Sequence, residues 1–216
     1  EMRDTTMKSV DEIRNQLHLP MLGEVPQFTE EPAHMDDSQF DSALWYYYRP
    51  ASREAEAYRS LRTSLLLKTE RNGAKVLQVT SAEPGDGKTT SVSNLALAIA
   101  QTGRKVLIID ADLRRPTVHK LFGINNAVGL GDVLAQEIDA QTSIRETRIS
   151  NLSILTAGML PENPSEMLMS RRFAEMVNQL RNEYDYILVD TPPLVVVSDP
   201  SVIASTVAPT GLTTRQ

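Results

Sequence analysis

The sequence predicts an α/β fold in which a mostly parallel sheet carries helices on both faces. Short apolar runs alternate with helical patterns from residue 76 onward, which is typical of parallel strands joined by helices. The runs are almost continuously apolar, as expected of strands that are covered on both faces. Two runs end in an aspartate, at Asp110 and Asp190, and another leads into a glycine-bearing turn that ends in Gly-Lys-Thr.

Composition limits the function before any motif is considered. The 216 residues are 41% hydrophobic and 23% charged, as in globular proteins. The net charge of −6 argues against nucleic acid as a partner, because such proteins usually present a basic face. The chain has no cysteine, which excludes thiol catalysis and thiolate metal sites. No run approaches the ~20 apolar residues that span a bilayer, so a membrane role would need a partner or a further segment.

An N-terminal segment and linker is predicted at 1–50, ahead of a domain at 51–216. The polar stretch 28–50 contains two prolines and several acids, which favours a linker. A short helix before it would bury Val10, Ile13 and Leu17.

The linker contains an aromatic run, Trp45-Tyr46-Tyr47-Tyr48. The favoured interpretation is that one or two of these rings pin the linker to the domain. The alternative is that the tyrosines are phosphoacceptors or an exposed docking strip.

A helix is predicted over Arg53 to Lys68, which is rich in helix-forming residues. On its exposed flank, Glu56, Arg59 and Arg62 follow one another at three-residue spacing. Spacing alone favours a Glu–Arg pair within the helix, worth only about 0.2–0.5 kcal/mol, over a charged stripe that docks on a neighbouring subunit. The predicted buried face is formed by Tyr58, Leu61 and Leu65.

The stretch Thr80 to Thr90, TSAEPGDGKTT, follows an apolar run at 76–79 and precedes a helix predicted at 91–101. A strand, a glycine-bearing turn and a helix in this order predict a phosphate-binding loop, and hence a P-loop NTPase fold. Gly85 and Gly87 allow backbone conformations in which consecutive N–H groups face one anion. The helix that follows directs its free N–H groups to the same place.

Lys88 is positioned to reach the outer phosphates of a nucleotide, and the Thr89 hydroxyl to hold Mg²⁺. The sequence departs from the usual motif at Ala82, where a first glycine is expected. The predicted nucleotide-binding residues are Gly85, Asp86, Gly87, Lys88, Thr89 and Thr90.

Three carboxylates are expected near this loop, because ligands of open α/β sheets lie at the carboxyl ends of strands. Asp110 and Asp190 end two strands, and Asp112 lies two residues further on. Magnesium prefers one or two carboxylates together with water and phosphate oxygens, which predicts a nucleoside triphosphate with Mg²⁺ as the ligand. Thr89 and Asp190 would hold the metal, and Asp110 would bind the metal or take the proton of the phosphate acceptor.

The remaining elements follow from the same patterns. Strands are predicted at 105–109, 152–156 and 186–189, and a helix around 131–135. A single helix is predicted after Pro164, capped by Ser165 and burying Met169, Phe173, Met176 and Leu180.

Three motifs, TSAEPGDGKTTSVSNLA, VLIIDADLRRP and YDYILVDTPP, resemble those of the bacterial tyrosine kinases of exopolysaccharide and capsule export. These kinases belong to the deviant P-loop group, which includes partition and division-site ATPases. Those ATPases carry a signature lysine where this chain has Glu83. In lacking this lysine, the chain resembles the kinases. The run EAYRSLR is similar to the oligomerisation motif of the kinases. NPSE at 163–166 and LHLPMLGEVP near the N-terminus extend the resemblance to residues 10–207.

The resemblance implies a kinase that transfers phosphate from ATP to tyrosines in a C-terminal cluster of a neighbouring subunit. Lys88 and Thr89 would serve the loop, and the three aspartates the metal and the chemistry. Glu56, Arg59 and Arg62 would form a ring-like homo-oligomer, which replaces the interpretation based on spacing. The kinase would be cytoplasmic, at the inner face of the membrane, with a separate or fused membrane activator. The N-terminal segment would be juxtamembrane.

The family fold continues past its Asp-Thr-Pro-Pro motif with a helix, further strands and a tyrosine tail. In this sequence Asp199 and Pro200 predict a helix start, but no later strand and no tyrosine after Tyr186 follow. We therefore expect a chain that is truncated at its C-terminus or has diverged there. Two alternatives to the kinase remain open: a partition- or division-type ATPase with nucleotide-gated assembly, and a non-catalytic assembly module.

Overall fold

The computed structural model describes residues 21–26, 40–72, 75–136 and 138–193. The helix predicted around Val10 and the helix start predicted at Asp199 lie outside the described residues. The elements in chain order are α1 (Trp45–Tyr48), α2 (Arg53–Asn72), β1 (Val76–Val79), α3 (Lys88–Ala100), β2 (Val106–Asp110), α4 (Val118–Leu121), α5 (Leu130–Gln136), α6 (Ala140–Ser143), β3 (Arg145–Glu146), β4 (Leu152–Leu155), α7 (Pro164–Met169), α8 (Arg171–Leu180) and β5 (Tyr186–Asp190).

The strands of the described residues form one sheet in the order β1-β5-β2-β4-β3. The first four are mutually parallel, and β3 pairs with β4 in the antiparallel direction. The predicted parallel sheet is confirmed, and its strand ends agree to within one residue. The edge strand β3 was not predicted, because its two exposed residues, Arg145 and Glu146, carry no apolar signal.

Two hydrophobic clusters cover the two faces of the sheet. Alternate residues of β2 belong to different clusters, since Val106 and Ile108 pack with α2 and α3, whereas Leu107 and Ile109 pack with α5, α7 and α8. All five residues of β2 and of β5 are buried. Successive strand side chains point to opposite faces, so the continuous apolar runs supply both cores. The prediction of helices on both faces is confirmed.

The prediction of a single helix after Pro164 is wrong. The chain forms α7 and α8, separated by Ser170 in an extended conformation with ψ 148°. The Ser170 hydroxyl accepts a hydrogen bond from the Phe173 amide at 3.2 Å, so serine caps a new helix rather than continuing the old one. The break rotates Met169 outward to 62% exposure, and Leu168 is buried instead. Ser165, predicted as the cap, lies inside α7, whose N-cap position is Asn163.

The described part of the predicted linker packs on the domain. Trp45 and Tyr46 of α1 are buried, and Leu44 is fully buried in the same region. The Tyr46 amide donates to Oδ1 of Asn94 at 2.8 Å, and the Asn94 side chain donates to the Ala43 carbonyl at 2.9 Å. The favoured interpretation, in which one or two aromatics pin this segment to the domain, agrees with this packing. The domain boundary at residue 50 stays a prediction.

Candidate functional site

The loop between β1 and α3 has the backbone that its glycines predicted. Gly85 and Gly87 lie at φ +94° and φ +74°, a region that other residues rarely adopt. A Cβ at either position would contact nothing within 4 Å, so conformation rather than space requires glycine. Asp86 stabilises the loop by accepting a hydrogen bond from the Glu83 amide at 2.8 Å.

Helix α3 begins at Lys88, three residues earlier than predicted. Its first intrahelical hydrogen bond runs from the Ser91 amide to the Gly87 carbonyl at 2.8 Å. The amides of residues 88–90 precede that bond, and no side chain caps the helix. Unpaired N–H groups at a helix N-terminus form a site suited to anions.

The sheet order brings two of the predicted carboxylates together. β5 lies between β1 and β2, and Asp190 is in register with both Val79 and Asp110. The end of β1, where the loop begins, is thus adjacent to Asp190. Asp110 lies one strand further along the same edge.

Lys88 contacts the carboxylates directly. Its Nζ forms an ion pair with Oδ1 of Asp190 and lies 3.9 Å from Oδ2 of Asp112. The Thr89 hydroxyl donates to Oδ2 of Asp190 at 2.7 Å and accepts from the Lys88 Nζ at 3.2 Å. The structure therefore brings Lys88, Thr89, Asp112 and Asp190 into one contact group.

Asp110 lies deeper than the other carboxylates. It is fully buried, and its oxygens accept hydrogen bonds from the amides of Asp112 at 3.3 Å and Val118 at 3.1 Å. Burial, followed by the nearby negative charge of Asp190, raises the pKa of Asp110 well above its usual value. Burial also raises the pKa of Asp190, although the charge of Lys88 opposes this shift.

A cavity of about 740 Å³ opens over the loop. Asp112 lines it, whereas Asp110, Asp190 and Asp86 do not. Arg114 and Arg115 also line it, although they were not among the predicted site residues, because charged residues beside a proline are common on surfaces. The lining residues are Ser81, Glu83, Pro84, Gly85, Gly87, Lys88, Thr89, Thr90, Asp112, Arg114, Arg115, Thr117, Pro192 and Pro193.

The donor atoms of this site suit magnesium. The Thr89 hydroxyl and the carboxylates of Asp112 and Asp190 supply hard oxygens, which Mg²⁺ prefers. Among the described residues, no group of three or more His, Cys, Asp or Glu is arranged to hold a metal ion.

The predicted oligomerisation residues lie on α2, away from the lining of this cavity. The Glu–Arg pair expected from spacing is confirmed, with Nε of Arg59 2.7 Å from Oε2 of Glu56. Arg59 also donates to the Pro50 carbonyl at 2.8 Å, and Arg62 to the Ala98 carbonyl of α3 at 3.0 Å. Within the described part of the chain, none of the helices combines the length and apolar character that crossing a bilayer requires.

Comparison with known proteins agrees with this geometry. A family model described as an AAA domain matches residues 74–207. The putative tyrosine-protein kinase CapB of Staphylococcus aureus is 40% identical over 163 residues, which cover 76% of this chain and 72% of CapB. Matches to longer curated tyrosine-protein kinases cover only 21–25% of those proteins.

Solved structures show the same fold. The kinase domain of the Escherichia coli tyrosine kinase ETK superimposes with a TM-score of 0.84 at 33% identity, over 93% of this chain and 80% of that one. The cell division ATPase MinD of Pyrococcus furiosus superimposes with a TM-score of 0.53 at 29% identity, over 61% of this chain and 55% of that one. The kinase domain thus matches a larger part of the chain than the division ATPase does.

Proposed function

Since this chain belongs to the AAA domain family and to the bacterial tyrosine-protein kinases, we propose that it is an ATP-dependent protein-tyrosine autokinase domain. Its role would be to regulate the synthesis and export of an exopolysaccharide. The observation that carries this proposal is the contact group of Lys88, Thr89, Asp112 and Asp190 at the start of α3. It places a cation, a hydroxyl and two carboxylates where a nucleotide triphosphate would meet uncapped helix amides.

Each residue of the group has a role in phosphate transfer. The amides of the loop and Lys88 would hold the phosphates of ATP and neutralise their charge, which is most of what a protein does in this reaction. Thr89 and Asp190 would hold a magnesium ion, which supplies further positive charge to the phosphates when bound. Because Lys88 is paired with Asp190, a triphosphate would compete with this carboxylate for the ammonium group.

The acceptor side of the reaction is assigned to Asp112, because it lines the cavity and Asp110 does not. The phenol oxygen of a tyrosine attacks the γ-phosphorus, and the bond from that phosphorus to the β,γ-bridging oxygen breaks. The products are phosphotyrosine and ADP, and the phenol proton passes to the carboxylate of Asp112. Asp110 would position Asp112 by accepting a hydrogen bond from the Asp112 amide at 3.3 Å.

Assembly and location form a second part of the proposal. The motif residues Glu56, Arg59 and Arg62 of α2 would contact a neighbouring copy in a ring-like oligomer. The ring would lie at the inner face of the cell membrane, where a separate or fused membrane activator switches it on. Support comes from the resemblance of EAYRSLR to the motif of these kinases, and from the exposed position of the Glu56–Arg59 pair.

A partition- or division-type ATPase is the second candidate. The likeness to the division ATPase MinD supports a nucleotide-gated assembly without phosphate transfer to protein. Glu83 argues against it, because the signature lysine of that group is absent. A third candidate is a non-catalytic module that binds ATP and assembles.

A phosphorylation assay with labelled ATP distinguishes the three candidate functions. The purified chain is incubated with [γ-³²P]ATP and Mg²⁺ and analysed for phosphotyrosine. Substitution Lys88→Met should lower the rate by about 10²–10³-fold, the usual effect of removing one charge-stabilising group. Lys120→Met, at an exposed position of α4, should leave it unchanged.

Label that persists in the Lys88→Met variant would overturn the assigned site. Absence of label on every variant and on an added tyrosine peptide, with ATP still bound by the wild-type chain, would exclude the kinase. Dimers that form only with ATP would then favour the division-type ATPase, and assembly without nucleotide dependence the non-catalytic module.

A further inference from the structure

The six tyrosines of the sequence all lie in described residues, and they differ greatly in exposure. Tyr47 of α1 is 48% exposed, whereas Tyr46 beside it is 1% exposed. A tyrosine can accept a phosphoryl group only if its hydroxyl can enter another active site. Burial excludes Tyr46, Tyr58 and Tyr186 from this role without local unfolding.

The two half-buried tyrosines are less suitable than Tyr47. The Tyr48 hydroxyl donates a hydrogen bond to the Phe40 carbonyl at 2.8 Å, which would have to break. Tyr184 packs against the second hydrophobic cluster. It lies next to the N-terminal end of β5, whereas Lys88 contacts Asp190 at the C-terminal end of the same strand.

The Tyr47 ring packs against two neighbouring rings although about half of the residue is exposed. Its ring packs edge-on against the rings of Phe40 at 5.0 Å and Tyr48 at 5.1 Å. Phe40 in turn packs on Phe122 of the first cluster at 6.1 Å. Within the described residues, the Tyr47 hydroxyl has no hydrogen-bond partner, so a phosphate added there would break no contact of the fold.

The anchoring of α1 makes transfer within one chain unfavourable. Asn94 binds both Tyr46 and Ala43, and it lies six residues from Lys88, or about 9 Å along the axis of α3. Moving Tyr47 into its own cavity would break these bonds and expose Leu44, which is fully buried.

The position of α1 favours a second copy as the enzyme. Arg59 of the proposed oligomer surface donates to the carbonyl of Pro50, two residues after α1, and its guanidinium lies 5.8 Å from the ring centre of Tyr46. The helix that carries Tyr47 is therefore adjacent to the surface through which copies are proposed to meet.

We propose that Tyr47 is a phosphoacceptor for the active site of a second copy of this chain, an inference that rests on the proposed kinase function. Its phenol oxygen attacks the γ-phosphorus of ATP held by Lys88 of the other copy. The bond to the bridging oxygen breaks, ADP leaves, and the proton passes to Asp112 of that copy. The product carries about −1.5 to −2 charges at neutral pH beside the surface of α2.

The test maps phosphate on the full chain after incubation with ATP and Mg²⁺, by mass spectrometry of peptides. We expect phosphate on Tyr47 and loss of most label in Tyr47→Phe, which keeps the ring contacts. Tyr48→Phe and Tyr184→Phe are the matched controls and should keep their label. A size-tagged Lys88→Met chain mixed with wild type should gain phosphate on its own Tyr47, as transfer between copies requires.

A synthetic tyrosine peptide in the same assay distinguishes this inference from the function on which it rests. All three Phe variants should phosphorylate the peptide at the wild-type rate, because Tyr47 is not part of the catalytic group. Phosphorylation of the peptide without phosphate on Tyr47 would overturn the inference and leave the kinase intact. Phosphate confined to other tyrosines would do the same, and no transfer to either acceptor would overturn both.

Discussion

Lys88 is the residue on which the electrostatics of the site depends. Only 7% of its side chain is exposed, and a buried charge is costly unless it is paired. Asp190 supplies the pair, and its own carboxylate is fully buried. Removing one partner of a buried pair typically costs about 3–5 kcal/mol, so Lys88→Met should lower stability as well as activity. Its loss of label is therefore interpretable only where circular dichroism shows a folded variant.

A second prediction at the scale of single residues concerns Asp110 and the pH dependence of stability. Its pKa is raised in the folded state by burial and by Asp190, so the folded chain binds its proton more tightly than the unfolded chain. The stabilisation is fully present below the unfolded pKa, near 4, and is lost as pH rises through the folded pKa. Asp110→Asn removes this dependence, so the stability of the variant relative to wild type should increase from pH 5 to pH 8.

Urea denaturation in EDTA at both pH values measures this difference. A constant offset, such as about 1 kcal/mol for a lost hydrogen-bond acceptor, cancels in the comparison. Glu183→Gln, which neutralises an exposed carboxylate, is the control and should change little. A stability difference between Asp110→Asn and wild type that stays constant with pH would contradict the assignment.

At the scale of elements, the start of α5 is fixed to the end of β4 by close backbone contact. The amides of residues 130 and 131 donate to the carbonyls of Thr156 and Ala157. The carboxylate of Asp132 accepts hydrogen bonds from the amides of Gly129 and Met159, each at 2.9 Å. A Cβ at Gly131 would overlap the Met159 carbonyl oxygen, so no other residue fits without a shift of the backbone.

The substitution Gly131→Ala sets two effects against each other. Alanine favours a helix over glycine by about 1 kcal/mol, but overpacking against a backbone carbonyl costs about 1–3 kcal/mol. Because rotation of a side chain cannot relieve this contact, we expect net destabilisation, seen as a lower midpoint in chemical denaturation.

The control is Ala135→Gly on the exposed side of the same helix, which measures the difference in helix propensity between alanine and glycine alone. It should cost no more than about 1 kcal/mol. If Gly131→Ala stabilised the chain, the close contact between α5 and the β4 end would be wrong.

At the scale of the whole molecule, the two faces of α2 have different roles: the inner face stabilises the fold, and the outer face is proposed to contact a neighbouring copy. Its inner face carries Tyr58 and Leu65 into the first cluster, while the Glu56–Arg59 pair stays at the surface. Arg59→Ala should change the free energy of unfolding little, since surface ion pairs contribute weakly to stability. It should nevertheless reduce the oligomer to smaller species in size-exclusion chromatography with light scattering.

Arg171 offers a matched control for this variant. It forms a similar pair with Glu175 on α8, at 2.6 Å and on an exposed surface. Arg171→Ala should leave the oligomer unchanged, since α8 is not part of the proposed surface. An Arg59→Ala variant that assembles like wild type would refute the proposed role of α2.

The sequence alone determined the local features, because they depend on residue type and spacing. Gly85 and Gly87 permit the left-handed backbone that this turn adopts, and apolar runs without alternation predict strands buried on both faces. The phosphate loop, the parallel sheet and the location of Asp110 and Asp190 at strand ends followed from these patterns. The short strand β3 could not be predicted, because the pairing partner and not its own residues makes it a strand.

The tertiary structure decided the features that depend on distant neighbours. Only the strand order places Asp190 between the loop and Asp110, and only packing shows that Asp112 reaches the cavity while Asp110 lies behind it. The break at Ser170 results from competition between a serine cap and a continuous helix, which spacing does not resolve. Likewise, four aromatic residues in a row look alike in sequence, and it is their contacts with α3 that bury Tyr46 and leave Tyr47 exposed.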